Sequence, residues 1–231
     1  LTFSTDKFLP CVFKGLSVWD YSQDLSRRLR EKNRVLFANA TPNKWSYLTP
    51  LVDAVGIEIG WMDEGSWEPS PEEDLLYWRT LAGDKPYCFL MTNGENFTRE
   101  ATGRFMKICL AYGLIPGFQP NYYFASGRAE RDRDLHKRYL PFICKVSEAG
   151  WRPVNRLAST LTPGIRVEQF GDKIVTVFNH GTGMAQSTIR ITRDGDDVRV
   201  AEALSGRGLD VRNGLVTFPL ESGEVAMLVL K

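Results

Sequence analysis

Apolar runs of strand length alternate with amphipathic runs of helix length four times over residues 16–150. The strand-like runs cover 34–39, 55–61, 86–93 and 114–119, and each ends in polar or aromatic residues. Such a beat predicts consecutive β/α units of a parallel sheet, a fold that keeps its chemistry at the carboxyl ends of its strands. Between the strands, leucines at helical spacing predict a helix opening at Ser22 and stopped by Asn33. Residues 43–54 read as a short helical return disturbed by Pro50. Ser70-Pro-Glu-Glu73 reads as a helix start, with Ser70 as cap, proline in the first turn and Glu73 completing a capping box. That helix is predicted to run to Gly83, a second from Thr98 to Gly113, and a third over about 130–149 with Gly150 ending it.

After Trp151-Arg-Pro153 the period changes to two. Strands are predicted at 165–170, 173–179, 187–192, 198–203, 215–220 and 225–230, with hairpin-turn signals at Asp194-Gly195 and Asn213-Gly214. The expected architecture is α/β: four β/α units over 1–152, then a small antiparallel β-sandwich domain over 153–231.

Composition narrows the function. With 231 residues the chain suits one large domain or two modest ones, and a net charge of +1 argues for no nucleic-acid or membrane-surface partner. No apolar run approaches the roughly 20 residues of a membrane helix. The first residue, Leu1, without an apolar signal core, reads as a processed product or a piece of something longer. Cys11, Cys88, Cys109 and Cys144 form no CxxC pair and are expected as buried free thiols, which fits a cytoplasm or a bacterial periplasm equally. His136 and His180 have no ligand-spaced partners, so neither a metal nor an organic cofactor is expected. Asn39-Ala-Thr41 and Asn96-Phe-Thr98 match the short glycosylation pattern.

Val35-Leu-Phe-Ala-Asn39, Asp53-Ala-Val-Gly-Ile-Glu58, Ile115-Pro-Gly-Phe-Gln-Pro-Asn121 and Lys137-Arg-Tyr-Leu-Pro141 precede a module containing Arg166-Val-Glu-Gln-Phe-Gly171 and Val175-Thr-Val-Phe-Asn179. The combination resembles the C-terminal half of a (β/α)8-barrel (TIM-barrel) glycoside hydrolase of the α-galactosidase and α-glucosidase type, with its β-sandwich. The resemblance implies that the four strands are strands five to eight, that the nucleophilic aspartate of strand four would precede Leu1, and that the acid/base belongs to the stretch holding Glu58, Asp63 and Glu64.

Glycoside cleavage uses one carboxyl group to protonate the leaving oxygen and a second as nucleophile or base. Alternation puts Gly56, Glu58 and Gly60 on one strand face, so Glu58, flanked by glycines, is the first candidate acid. The competing reading of Glu58 is a buried structural carboxylate paired with a neighbouring Arg or Lys. Asp63 and Glu64 lie just past the strand, bracketed by Trp61 and Trp67, a composition suited to stacking a pyranose while acids take its hydroxyls. Asn39, Asn93, Gln119 and Asn121 recur at strand ends, followed by Tyr122, and can donate to and accept from hydroxyls. The run Arg128-Ala-Glu-Arg-Asp-Arg-Asp134 reads as a solvated helix start.

The leading expectation is therefore a glycosidase, or its C-terminal part, acting on a carbohydrate substrate. Its nucleophile would come from an N-terminal half of the barrel, in the same gene product or another chain. The alternative is a non-catalytic carbohydrate-binding or scaffold protein. A barrel acting on phosphorylated substrates is disfavoured, because no glycine-rich phosphate loop follows the third or fourth strand. Four β/α units alone would leave two raw sheet edges, which asks for another segment or a second copy to pair them.

Overall fold

The computed structural model describes residues 2–3, 6–11, 14–192 and 199–231. The Asp194-Gly195 turn and the side chains of Cys11 and Tyr122 lie outside the described residues.

The first part follows the order α1 (Lys14–Glu31), β1 (Phe37–Ala38), β2 (Ala54–Ile59), α2 (Glu72–Ala82), β3 (Tyr87–Met91), α3 (Arg99–Tyr112), β4 (Leu114–Phe118) and α4 (Arg133–Ala149). The strands form one parallel sheet in the order β1-β2-β3-β4. Each strand lies beside its predecessor, in the register Glu58↔Leu90↔Gly117 across β2, β3 and β4. One face is core: Val55, Ile57, Tyr87, Phe89 and Met91 are buried against α2 and α3. The other face carries Phe37, Glu58, Leu90 and Gly117, all at least partly open to solvent.

Local chemistry explains several boundaries. Thr98 caps α3, its Oγ1 accepting from the Ala101 amide at 3.1 Å, and Gly113 ends the helix at φ +64°. The Ser70 cap is corrected: Pro71 occupies the N-cap of α2 without a side-chain cap, because Ser70 Oγ accepts the Trp61 indole N–H at 3.0 Å. Glu72, Glu73 and Asp74 in the first turn complement the helix dipole instead. Helix α1 starts eight residues before Ser22, and only Ser26 in it is fully buried. The run 34–39 pairs only at Phe37 and Ala38, and the return at 46–51 is a 3₁₀ helix containing Pro50. Among the cysteines expected to be buried, Cys109 is, Cys88 is half-buried, and Cys144 is free and exposed.

The second part contains β5 (Trp151–Arg152), β6 (Ala158–Thr160), β7 (Ile165–Phe170), β8 (Ile174–Asn179), β9 (Ala185–Ile191), β10 (Val200–Glu202), β11 (Arg207–Leu209), β12 (Leu215–Leu220) and β13 (Val225–Leu230). They make a six-stranded sheet, β11-β10-β13-β8-β7-β5, and a three-stranded sheet, β6-β9-β12, both antiparallel. The sheets share an apolar core to which one contributes Val175, Val177 and Leu228, the other Ile189, Val216 and Phe218. Asn213 and Gly214, both at positive φ, turn the chain between Arg212 and Leu215 as the sequence predicts. Trp151 already pairs with Phe170, so the chain enters the antiparallel sheet directly after α4.

The outer face of the six-stranded sheet packs on α3. Phe170, Phe178, Val225 and Met227 belong to the same core as the parallel sheet, and Thr176 Oγ1 donates to the Ala111 carbonyl at 2.6 Å. The Phe170 ring lies so close to Gly113 that a Cβ there would sit 2.3 Å from it. The two parts are held by packed apolar surface and not by a linker.

Candidate functional site

The carboxyl ends of the four parallel strands carry the candidate residues. Glu58, near the end of β2, is exposed on the open face of the sheet, as alternation from buried Val55 and Ile57 requires. The buried ion-pair reading is thereby overturned: the partner of Glu58 is an amide, Asn39 Nδ2, donating to Oε1 at 2.6 Å. Asn39 Oδ1 in turn accepts from the Ala40 amide at 2.8 Å, which fixes which end of the side chain faces the carboxylate. Among the open-face positions of the four strands, Glu58 is the sole carboxylate.

The glycines beside Glu58 do not leave vacant space. The Phe37 ring lies over Gly56, within 2.6 Å of where a Cβ would be, and the Asn93 amide fills the space over Gly60 at 3.0–3.2 Å. Access to Glu58 is therefore from the open face, beside Leu90 and Gly117. Asn93 Nδ2 donates to the Met62 carbonyl, joining the loop after β3 to the loop after β2, while its buried Oδ1 has no partner among the described residues.

Asp63 and Glu64 are exposed at the tip of a two-residue hairpin, in which Met62–Asp63 pairs with Ser66–Trp67 around Glu64 and Gly65, both at positive φ. Trp61 does not offer a stacking surface. It is 1% exposed and packed edge-on against Trp67 and Phe105, with its ring nitrogen bound to Ser70. An indole flanked by carboxylates in sequence is here a core residue, because the hairpin turns the carboxylates outward and the indole inward. Trp67 is half-buried against Phe97. Gln119 caps a short helix, Pro120–Tyr123, with its amide on the Met91 carbonyl at 3.1 Å, and Asn121 is exposed on that helix.

Periodicity missed a buried polar hub behind these loops. Glu130, Arg131, Arg133 and Asp134 are exposed, as a solvated charge run would be, but Asp132 among them is fully buried, which corrects that reading at this one position. Its carboxylate accepts from Arg131 Nε and Nη2 at 2.7 and 2.6 Å, from Thr102 Oγ1 at 2.8 Å and from the Tyr123 hydroxyl at 2.9 Å. Burial alone would raise this carboxyl, but the hydrogen bonds from Arg131, Thr102 and Tyr123 outweigh it and hold Asp132 below its ordinary value. His136 Nε2 lies 3.0 Å from the same hydroxyl, and burial lowers the histidine. The sequence signal was present as Asp132 four residues before His136, one helical turn apart.

A groove of about 1010 Å³ lies elsewhere. It runs along α3 between α2, α4 and β8, and its walls include Trp67, Lys107, Tyr139, His180 and Glu224. Several of its charged residues pair with each other, as in Lys107–Glu224 and Arg104–Glu100.

No protein-family model and no curated protein matches the sequence. Solved structures do match in fold. Alpha-galactosidase I from Mortierella vinacea superposes with a TM-score of 0.53 at 9% identity, covering 94% of this chain and 63% of its own. An Anoxybacillus alpha-amylase described as a new glycosyl hydrolase subclass gives 0.55 at 10% identity, with coverage of 91% and 55%. An alpha-amylase from Geobacillus thermoleovorans, complexed with acarbose, gives 0.50 at 11%, with 95% and 65%. The chain thus has the fold of glycoside hydrolases and spans less than two thirds of the length of these three proteins.

Proposed function

We propose that this chain is the C-terminal part of a glycoside hydrolase, in which β1 to β4 are the last four strands of a (β/α)8 barrel and the antiparallel sheets form its sandwich. The sequential parallel order of the strands supports this, as does the fold likeness to whole glycosidases of greater length. The single observation that carries the reading is Glu58: an accessible carboxylate near the carboxyl end of a parallel strand, oriented by the Asn39 amide. Active sites of such folds lie at that end.

In this reading Glu58 protonates the departing glycosidic oxygen. Asn39, Gln119 and Asn121 exchange hydrogen bonds with sugar hydroxyls, while Asn93, turned onto the Met62 carbonyl, holds the loops in place. Cleavage needs a second carboxylate about 5–5.5 Å away for retention or about 6.5–9.5 Å away for inversion. The open face of these four strands supplies none besides Glu58, so the nucleophile comes from a segment N-terminal to this chain. Asp63 and Glu64 stand as alternative acids from the hairpin.

The test is hydrolysis of aryl α- and β-glycosides by the complete gene product. Glu58→Gln is expected to lower kcat by about 10²–10⁴-fold, the usual contribution of a positioned acid, while Asp63→Asn and Glu64→Gln stay near the parent. Unchanged hydrolysis in Glu58→Gln would overturn the assignment.

A further inference from the structure

The hub around Asp132 touches both loops that follow β3 and β4. Tyr123 belongs to the loop after β4; its ring stacks on Phe118 at 3.9 Å and 11°, and its Cβ lies 3.4 Å from where a Cβ on Gly94, in the loop after β3, would be. Arg131 Nη2 donates to the Phe97 carbonyl at 3.2 Å, and Arg99 Nη1 donates to the Arg131 carbonyl at 2.7 Å. Thr102 brings in α3. The loop after β4 is tied to the sheet by the Gln119 amide on the Met91 carbonyl and to itself by local bonds from the amides of Tyr123, Phe124, Ala125 and Gly127 and from the Ser126 hydroxyl.

The direction of each hydrogen bond in the hub follows from counting protons. The Asp132 carboxylate faces two Arg131 N–H groups, the Tyr123 hydroxyl and the Thr102 hydroxyl, whose one proton it shares with the Thr98 carbonyl, and it has no proton of its own to give. The single Tyr123 hydroxyl proton must therefore point at Asp132. Its oxygen then faces His136 Nε2 with lone pairs only, so that nitrogen must carry the hydrogen.

We propose that His136, Tyr123 and Asp132 form a one-way clamp, His136 Nε2–H to the Tyr123 oxygen and Tyr123 O–H to Asp132, which positions the loop carrying Gln119 and Asn121 at the strand ends. Tyr123 and Asp132 are positioning residues and touch no substrate. The clamp's role in catalysis rests on the glycosidase reading; its existence does not.

The experiment separates the two. Long-range ¹H–¹⁵N spectra of the protein near neutral pH report the tautomer of His136, distinguished from His180 by a His180→Asn variant, the two being the only histidines. The Nε2–H form is expected, and an Nδ1–H form would overturn the clamp. Tyr123→Phe keeps the ring on Phe118 and removes both hydrogen bonds. Amide hydrogen exchange over 119–127 is then expected to quicken by about tenfold or more, the worth of a hydrogen bond to a charged group, while exchange in α3 and β3 is unchanged. Unchanged exchange over 119–127 would overturn the positioning role even if the tautomer is as expected. With the complete gene product, Tyr123→Phe is expected to raise KM for an aryl glycoside more than it lowers kcat. A parent without any hydrolysis would sink the glycosidase reading and leave the spectra and exchange to decide the clamp.

Discussion

The Asn39 amide donates to Glu58 Oε1 at 2.6 Å, tying the end of β1 to the end of β2 through side chains alone. Both residues are exposed, so the contact adds little to stability; its effect is to hold the carboxylate in one orientation. Asn39→Ala is expected to leave the urea midpoint nearly unchanged, within about 0.5 kcal/mol, and, on the proposed function, to lower kcat/KM of the complete gene product for an aryl glycoside by about tenfold or more. A parent-like kcat/KM would show that Glu58 needs no such orientation.

Gly113 couples the two parts of the chain through a backbone position. It ends α3 at φ +64°, and the Phe170 ring occupies the space a side chain would need. Gly113→Ala combines a left-handed penalty with overpacking, together about 2–5 kcal/mol. Urea unfolding checks it, and a loss under about 1 kcal/mol would mean that the Phe170 contact yields freely.

Arg79 is a buried cation without a carboxylate partner among the described residues. Its guanidinium donates to the carbonyls of Gly83 and Lys85, each at 2.6 Å, and of Gly113 at 3.2 Å, and lies over the Tyr87 and Trp151 rings. Burial pushes it down to about 10, so it stays charged at neutral pH. Arg79→Met fills the volume but strands three carbonyls, and a loss of about 3 kcal/mol or more is expected from equilibrium unfolding.

Acidification should weaken the hub in two stages. Burial lowers His136, so the folded protein favours the neutral ring, and this stability is present above the ordinary value of about 6.5 and lost as pH falls below it. Asp132 is held low against its own burial by Arg131, Thr102 and Tyr123, with Arg99 at 3.9 Å. Its contribution is full above the ordinary carboxylate value of about 3.9 and is lost as pH falls through the lower folded value. His136→Gln is expected to flatten the first stage, and Asp132→Asn the second, in urea midpoints measured across pH. Parallel curves for parent and variants would refute this.

The β/α beat, the helices ended by Gly83, Gly113 and Gly150, and most of the later strands were legible because each depends on local period, capping or turn chemistry. The outward face of Glu58 was legible for the same reason, since alternation alone opposes it to Val55 and Ile57. Trp61, Ser70 and Asp132 were misread. Their roles depend on partners 9 residues away for the Trp61–Ser70 bond and 30 for the Thr102–Asp132 bond. No window along the chain contains that geometry.

By itself, then, the amino-acid order determined the sequence of elements and which face of each strand is apolar, because those follow from side-chain period and backbone preference. Only the tertiary structure decided which polar residues are spent on the protein and which remain free for a ligand. Asn93 is turned onto Met62 and Trp61 onto Ser70, Asp132 is sealed under Tyr123, and Glu58 is left open beside Asn39. The physical reason is that a buried polar group must find its partner wherever the fold brings one within about 3 Å, and that distance is set by packing between elements remote in sequence.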